Sequence, residues 1–205
     1  MGINVKDMRI TYTFNENYFE LIDTEDKAYY LGLMYADGQN NSDGNYVRLS
    51  LCEEDKHILE SFIKYLNGNN KLGFVDLNNK NINWSNQYYL QLSRKKISDD
   101  LTNLGCVQNK TNSVIFPNEK QLNKNLIRHF IRGYFDGDGS VWCGKRKIML
   151  IKDPKHSKGK RNRIVQNVKF TITGTINMID NIQNILVNEL NFKKNKINVS
   201  KKIMS

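Results

Sequence analysis

A duplicated segment is the feature that most constrains the fold of this chain. Residues 30–38 read YLGLMYADG and residues 131–139 read IRGYFDGDG. The copies are 101 residues apart, so that Gly32 matches Gly133 and Asp37 matches Asp138. A repeat of this kind indicates two related structural units in one chain.

The residues after each copy also match. In both places apolar residues alternate with polar ones, which predicts a strand with one buried face. Apolar residues at helical spacing follow each strand and predict a helix. With a further strand of the first half, the residues expected to be buried are Val47, Leu49, Leu51, Leu90, Leu92, Phe170 and Ile172.

The second unit carries an insertion. Aligning Leu49 with Phe170 gives an offset of 121 residues, against 101 for the motifs, so about 20 extra residues lie between motif and strand. Residues 145–163 fit this insertion and hold nine Lys and Arg residues. An extended basic hairpin or loop that reaches along phosphates is therefore predicted.

The predicted fold class is α+β, with two pseudo-symmetric αββαββα halves. The halves span residues 1–118 and 119–205, with motif helices at about 26–38 and 123–138. By the offset of 121, the last strand and the last helix of the second half have no counterpart before residue 205. The second half is therefore expected to lack them.

Small residues four positions apart predict close packing of the two motif helices. They are Gly32 and Ala36 in one copy, and Gly133 and Gly137 in the other. Such packing would bring two acids together at negative helix ends, where a cation relieves the repulsion. Hard carboxylate oxygens favour Mg²⁺ or a similar divalent ion such as Mn²⁺. The alternative is that Asp-Gly simply ends each helix in a turn.

Basic residues are concentrated at one end of the chain. The net charge is +10, and residues 139–205 hold 15 Lys and Arg against 3 acids, whereas residues 1–138 hold 16 against 18. This distribution indicates a polyanion-binding surface, with nucleic acid as the favoured partner over a mere solubility effect.

The remaining composition points to an intracellular protein that does not span a membrane. No apolar run approaches the length of a membrane span, and residues 1–13 do not read as a signal peptide. The three cysteines are widely separated, which favours free thiols over a disulfide framework or a zinc site.

The duplicated segments resemble the LAGLIDADG motif of homing endonucleases. The second copy is close, with Asp136, Asp138 and the glycines in place. The first departs at its sixth position, where Tyr35 stands for an acid, and at its second, where Leu31 stands for a small residue. Two motifs in one chain are similar to the single-chain, monomeric class, which recognises an asymmetric site.

The resemblance implies a metal-dependent, site-specific double-strand DNA endonuclease. Its motif helices would form the interface between the halves, and two curved antiparallel sheets would form a saddle over the DNA. Asp37 and Asp138 would bind the metal and be catalytic. Lys110, in the segment Gly105–Thr111, is similar to a lysine near the active site of the family and is the basic catalytic candidate.

The saddle implies a set of DNA-contacting residues. Strand positions expected to face the major groove are Tyr46, Arg48, Ser50, Tyr89, Gln91, Ser93, Lys169, Thr171 and Thr173. The basic insertion adds the expected phosphate contacts Lys145, Arg146, Lys147, Lys158, Lys160, Arg161 and Arg163.

Three other functions stay open at this point. The same scaffold could bind intron RNA as a maturase that assists splicing, and the shortened second half is also compatible with a DNA-binding relic that no longer cleaves. An interaction protein with a basic tail is disfavoured by the duplicated motif.

Overall fold

The computed structural model describes residues 12–150 and 161–199. The first half runs α1 (Glu25–Ala36), β1 (Gly38–Asn41), β2 (Tyr46–Cys52), α2 (Lys56–Tyr65), β3 (Gly73–Val75), β4 (Gln87–Leu92) and α3 (Lys95–Asn103). The second half runs α4 (Ile127–Asp138), β5 (Gly139–Leu150), β6 (Arg161–Ile172) and α5 (Ile176–Leu190). The α+β class with antiparallel sheets is confirmed, and the first half has the predicted αββαββα order.

The first half contains a complete four-stranded antiparallel sheet in the order β1-β2-β4-β3. Its inner face carries the predicted apolar residues, and Val47, Leu49, Leu90 and Leu92 are each at most 2% exposed. Leu51 is 8% exposed. The alternation predicted for β2 and β4 is thus confirmed, because helices cover only one face of the sheet.

Among its described residues, the second half contains a two-stranded sheet, in which β5 pairs with β6 over 12 residues each. The predicted insertion therefore lengthens a hairpin. Strand pairing also revises the alignment: Gly38 pairs with Leu49 and Gly139 with Ile172, so the strand offset is 123 residues rather than 121. Because the two offsets differ by two residues, which is one full period of a strand, the assignment of residues to the two faces is unchanged.

The prediction that Phe170 is buried is wrong. Phe170 is 69% exposed, whereas Ile172, nearer the motif helix, is partly buried. By pairing, the first-half counterpart of Phe170 is Val47, which faces Leu92 across β2 and β4. Within the part of the chain that the structure describes, β6 has no such second neighbouring strand, so Phe170 lacks this apolar partner.

The second half was expected to lack one strand and one helix. Residues 191–199, which follow α5, contain neither a strand nor a helix, so β3 also has no counterpart among them. Among the described strands of the first half, β3 pairs with β4. Within residues 12–150 and 161–199, no helix has the length and apolar character to cross a membrane.

Candidate metal and DNA site

The two motif helices, α1 and α4, cross with their backbones in contact. A Cβ atom added to Gly32 would overlap the carbonyl oxygen of Phe130, and one added to Gly133 would overlap the carbonyl oxygen of Tyr29. No side chain fits between the helices at this point. The small residues expected at the helix interface therefore lie at the crossing, and they allow the helices to approach each other more closely than larger residues would.

The helix ends meet as well. A Cβ atom on Gly137 would overlap the side chain of Ala36 and lie 2.9 Å from Oδ2 of Asp37. The carboxylate of Asp37 therefore lies against α4 one residue before Asp138. The structure brings the two predicted metal ligands together at the same end of the helix pair.

Each acid lies at a junction between a helix and a strand. Asp37 follows the last residue of α1, and its N–H donates to the carbonyl of Leu33 at 2.9 Å. Asp138 is the last residue of α4, and its carbonyl accepts from the N–H of Thr173 at 3.1 Å. Gly38 and Gly139 then start β1 and β5, where a Cβ would overlap the preceding helical turn. Both side chains are thus held at the rim of the sheet surface.

The electrostatics of this junction disfavour two charged acids. Burial raises the pKa of Asp37, and repulsion from Asp138 raises it further. Burial also raises the pKa of Asp138, although Tyr134 and Lys110 oppose the change. The Asp37 side chain is exposed at the rim and Asp138 is partly buried, so surrounding protein displaces only part of the water. A bound cation would reverse this penalty.

Lys110 lies beside the two acids. Its Nζ donates to the carbonyl of Ala36 at 3.0 Å, at the C-terminal end of α1, and the residue is only 8% exposed. Its positive charge lowers the pKa of both Asp37 and Asp138. The lysine that the family resemblance singled out is therefore a buried neighbour of the acids rather than a surface residue.

A buried polar network anchors the segment that carries Lys110. The side-chain amide of Asn40 donates to the carbonyl of Ser98 at 3.0 Å and to that of Cys106 at 2.8 Å. The Cys106 thiol donates to the carbonyl of Met34 at 3.3 Å, and burial raises its pKa to about 12, so it stays protonated. These contacts tie the 106–110 segment to β1 and α1, and they fix the position of the lysine.

One departure from the family motif, Tyr35, has a local explanation. The hydroxyl of Tyr35 donates to the carbonyl of Leu104 in the core, and Gly105, at φ +98°, leaves room for the ring. The equivalent acid in the second copy, Asp136, is exposed and accepts a 2.8 Å hydrogen bond from the hydroxyl of Tyr29. Tyr35 therefore links α1 to the end of α3, Asp136 links α4 to α1, and neither residue belongs to the acid pair.

The outer face of the four-stranded sheet carries the polar residues predicted to contact DNA. Tyr46, Arg48 and Ser50 alternate with buried residues on β2, and Tyr89 and Gln91 do so on β4. Ser93 follows the last residue of β4 and is exposed. We call the side of the four-stranded sheet that carries these six residues the outer face.

Gln39 belongs to the outer face and was missed from the sequence. It is exposed on β1 and pairs directly with Arg48, which pairs with Gln91 on the other side. The strand Gly38–Asn41 has no apolar alternation that would reveal it. The sequence marks Gln39 only by its place directly after the first motif, because the second motif also leads directly into a strand, β5.

The hairpin β5–β6 continues the charged surface in the second half. Lys169, Thr171 and Thr173 are exposed and, by pairing, correspond to Tyr46, Arg48 and Ser50. Lys145 is exposed too, but it lies with Val141 and Cys143 on the other face of the hairpin, opposite the face that carries Lys169 and Thr171. The backbones of Arg146, Lys147, Arg161 and Arg163 lie within these strands, whereas Lys158 and Lys160 lie outside the described residues.

The acid pair should lower the stability of the folded protein in the absence of a metal ion. Because folding raises the pKa of Asp37 and Asp138, the folded state binds more protons than the unfolded state just above the usual pKa of 3.8. The free energy of unfolding therefore falls as the pH rises through this range, and the penalty persists at neutral pH. We expect Asp37→Asn to raise the melting temperature in EDTA by about 1–4 °C.

Magnesium should act in the opposite direction on the two melting temperatures, that of the unmodified protein and that of Asp37→Asn. It should raise the melting temperature of the unmodified protein more than that of Asp37→Asn, because the variant loses a ligand. Asp136→Asn, on the same end of the helix pair but outside the acid pair, should respond to Mg²⁺ as the unmodified protein does. Calorimetry with and without Mg²⁺ measures both effects, and a lower melting temperature for Asp37→Asn in EDTA would contradict them.

Comparison with known proteins gives structural neighbours only. No protein-family model and no curated protein matches the chain. The chain is similar to the solved structure of the I-LtrWI LAGLIDADG homing endonuclease bound to target DNA, at 14% identity and a TM-score of 0.45, with 88% of this chain and 74% of that chain covered. It is also similar to two lysine-to-alanine variants of I-SmaMI, each at 15% identity and 82% coverage of this chain. These cover 75% and 74% of the I-SmaMI chains, with TM-scores of 0.41 and 0.42. Both neighbours are homing endonucleases of the family whose motif the two repeated segments resemble.

Proposed function

We propose that this chain is a site-specific endonuclease that hydrolyses both strands of double-stranded DNA with the help of a divalent cation. The observation that carries the proposal is the meeting of Asp37 and Asp138 at one end of two helices in contact, with the buried Lys110 beside them. Ordinary selection for stability does not favour two acids brought together at negative helix ends.

The acid pair fits magnesium better than zinc. Among residues 12–150 and 161–199, no group of three or more His, Cys, Asp and Glu side chains could hold a metal ion. Zinc sites in proteins use three or four such ligands, whereas Mg²⁺ commonly takes one or two carboxylates and completes its shell with water and substrate phosphate. Bound Mg²⁺ would supply Lewis-acid stabilisation of the charge that develops on the phosphate during hydrolysis.

The residues of the chain would divide the remaining work. Asp37 and Asp138 would hold the cation at the ends of α1 and α4, where the sheet strands β1 and β5 begin. Lys110 donates one N–H to the carbonyl of Ala36, and its other two N–H groups can donate to a water molecule or a phosphate oxygen. The charge of Lys110 favours the ionised form of both acids, which is the form that binds metal.

The charge distribution supports DNA as the substrate. The outer face has the exposed Gln39 and the partly exposed Arg48, and the hairpin β5–β6 adds the exposed Lys169; these side chains can donate to base edges and phosphates. A double helix presents base edges in a major groove that admits a two-stranded ribbon, whereas the deep, narrow groove of an RNA helix does not. The long β5–β6 hairpin has the shape that fits the DNA groove.

A selection experiment tests the proposal. Random DNA duplexes are bound to the protein in EDTA, recovered and sequenced, and the enriched duplexes are then incubated with Mg²⁺. We expect an enriched sequence and, with Mg²⁺ only, cuts in both strands at fixed positions. Binding without cleavage would favour the relic, preference for structured RNA would favour the maturase, and absence of binding to either would rule out the nucleic-acid role.

A further inference from the structure

Arg48 occupies the centre of the outer face. It lies in the middle of β2, with Gln39 of β1 opposite on one side and Gln91 of β4 opposite on the other. Three polar side chains therefore form one row across three strands. Within the described ranges 12–150 and 161–199, no carboxylate forms an ion pair with Arg48, so no acid there neutralises its charge.

Two tyrosines hold the guanidinium in place. Its central carbon lies 4.5 Å from the ring centre of Tyr89 and 5.8 Å from that of Tyr46. Both distances are within the range of attraction between a cation and an aromatic ring. Gly73 lies opposite Tyr89, and a Cβ there would overlap the Tyr89 ring, so the glycine clears the space that the ring needs.

Gln91 fixes the orientation of the guanidinium. Its Oε1 accepts from Nε of Arg48 at 3.2 Å and also from Nη2. Of the five N–H groups of arginine, two are thus used and three remain, on Nη1 and Nη2. These form the outer fork of the guanidinium, which matches the two acceptors O6 and N7 of guanine.

We propose that Arg48 is a specificity-determining residue that reads the guanine of one G·C pair in the major groove, and that Gln91, Tyr46 and Tyr89 position it. This inference rests on the proposed function. Gln91 is not itself the reader of an adenine, because that contact needs a free acceptor and a free donor, and its oxygen is already engaged by Arg48. Gln39 is exposed and can contact the adjacent base pair.

Positioning lowers the cost of binding. A free arginine loses side-chain entropy when it is fixed on a base, whereas Arg48 is already held by two rings and a double hydrogen bond. A lysine in its place would keep the charge but lose the fork. The charge-conserving substitution therefore separates base reading from general attraction to phosphate.

The experiment repeats the selection from random duplexes in EDTA with Arg48→Lys, Gln91→Leu and the control Arg94→Lys. Arg94 also lies near an aromatic ring, that of Phe14, but it donates to the carbonyls of Ser93 and Tyr12 and lies outside the row. We expect one guanine in the sequence selected by the unmodified protein to lose its preference in Arg48→Lys and to weaken in Gln91→Leu. Arg94→Lys should keep every preference.

Affinity measurements complete the test. Replacing that G·C pair by A·T should weaken binding of the unmodified protein by about tenfold or more, the size of one lost base contact, and should change binding of Arg48→Lys far less. Thermal melting of each variant shows that it is folded, and a merely structural arginine would change melting without changing base preference.

The outcomes distinguish a wrong role for Arg48 from a wrong proposed function. If the unmodified protein selects a sequence and Arg48→Lys selects the same base at every position, the role of Arg48 is wrong while the proposed function stands. If the unmodified protein selects no sequence at all, the proposed function and this inference are both overturned.

Discussion

Asp138→Asn is expected to abolish DNA cleavage and to leave DNA binding largely intact. Asparagine has nearly the same shape as aspartate but lacks the charge that holds a divalent ion, so the rate of hydrolysis should fall by about 10³-fold or more. Binding should persist because the outer face is unchanged, and the loss of a negative charge close to phosphates favours association. Cleavage of the selected duplex in Mg²⁺ and its binding in EDTA give the two readouts.

The control for this prediction is two residues away. Asp136→Asn makes the same chemical change on the same helix, but its side chain accepts a hydrogen bond from Tyr29 and is not part of the acid pair. It should cleave at close to the original rate. Should Asp138→Asn cleave as fast as Asp136→Asn, the assignment of Asp138 to the metal would be wrong.

Gly133→Ala is expected to destabilise the whole molecule. Alanine is a better helix former than glycine by about 1 kcal/mol, so on local grounds the change should stabilise α4. The new Cβ would instead overlap the carbonyl oxygen of Tyr29, a backbone atom that cannot move without its helix. We expect a net loss of about 1–3 kcal/mol in the free energy of unfolding, measured by urea titration.

The same change should also weaken the response to magnesium. Forcing α1 and α4 apart separates Asp37 from Asp138, so the rise in melting temperature on addition of Mg²⁺ should shrink. Gly68→Ala is the control, because its Cβ would come no closer than 3.1 Å to Oδ1 of Asn70, 3.3 Å to Cβ of Phe14 and 3.4 Å to the carbonyl oxygen of Ile63, so it would not overlap a backbone atom. Equal stability of Gly133→Ala and Gly68→Ala would show that the helix crossing is looser than described.

The sequence predicts the local parts of this fold well, because their signals lie within a few residues. The glycine spacing predicted the helix contact at Gly32 and Gly133, and the alternation in β2 and β4 predicted which residues are buried. Phe170 failed because burial depends on what covers a strand, and alternation alone does not show that. Gln39 was missed because its short strand has no apolar residue to mark its face.

The candidate site shows the same division. The duplicated motif is enough to predict that Asp37 and Asp138 meet, since both follow from one repeated helix. The position of Lys110 depends on a loop held by a contact between Asn40 and Cys106, which are 66 residues apart, and by one between Cys106 and Met34 of α1, which are 72 apart. Only the family resemblance pointed to that lysine, because no local pattern encodes a contact across 74 residues.

If the protein binds DNA as proposed, its two halves would present surfaces of different stiffness to the duplex. On one side, β2 is hydrogen-bonded along both edges, by β1 and by β4, and its central arginine is already oriented. On the other side, β6 is bonded along one edge among the described strands, and Phe170 and Val168 project without cover. A rigid surface penalises a wrong base, whereas a compliant one bends to accept it. Target sites should therefore tolerate mutation unequally, with strict requirements over the base pairs nearest the first half and broad tolerance over the rest.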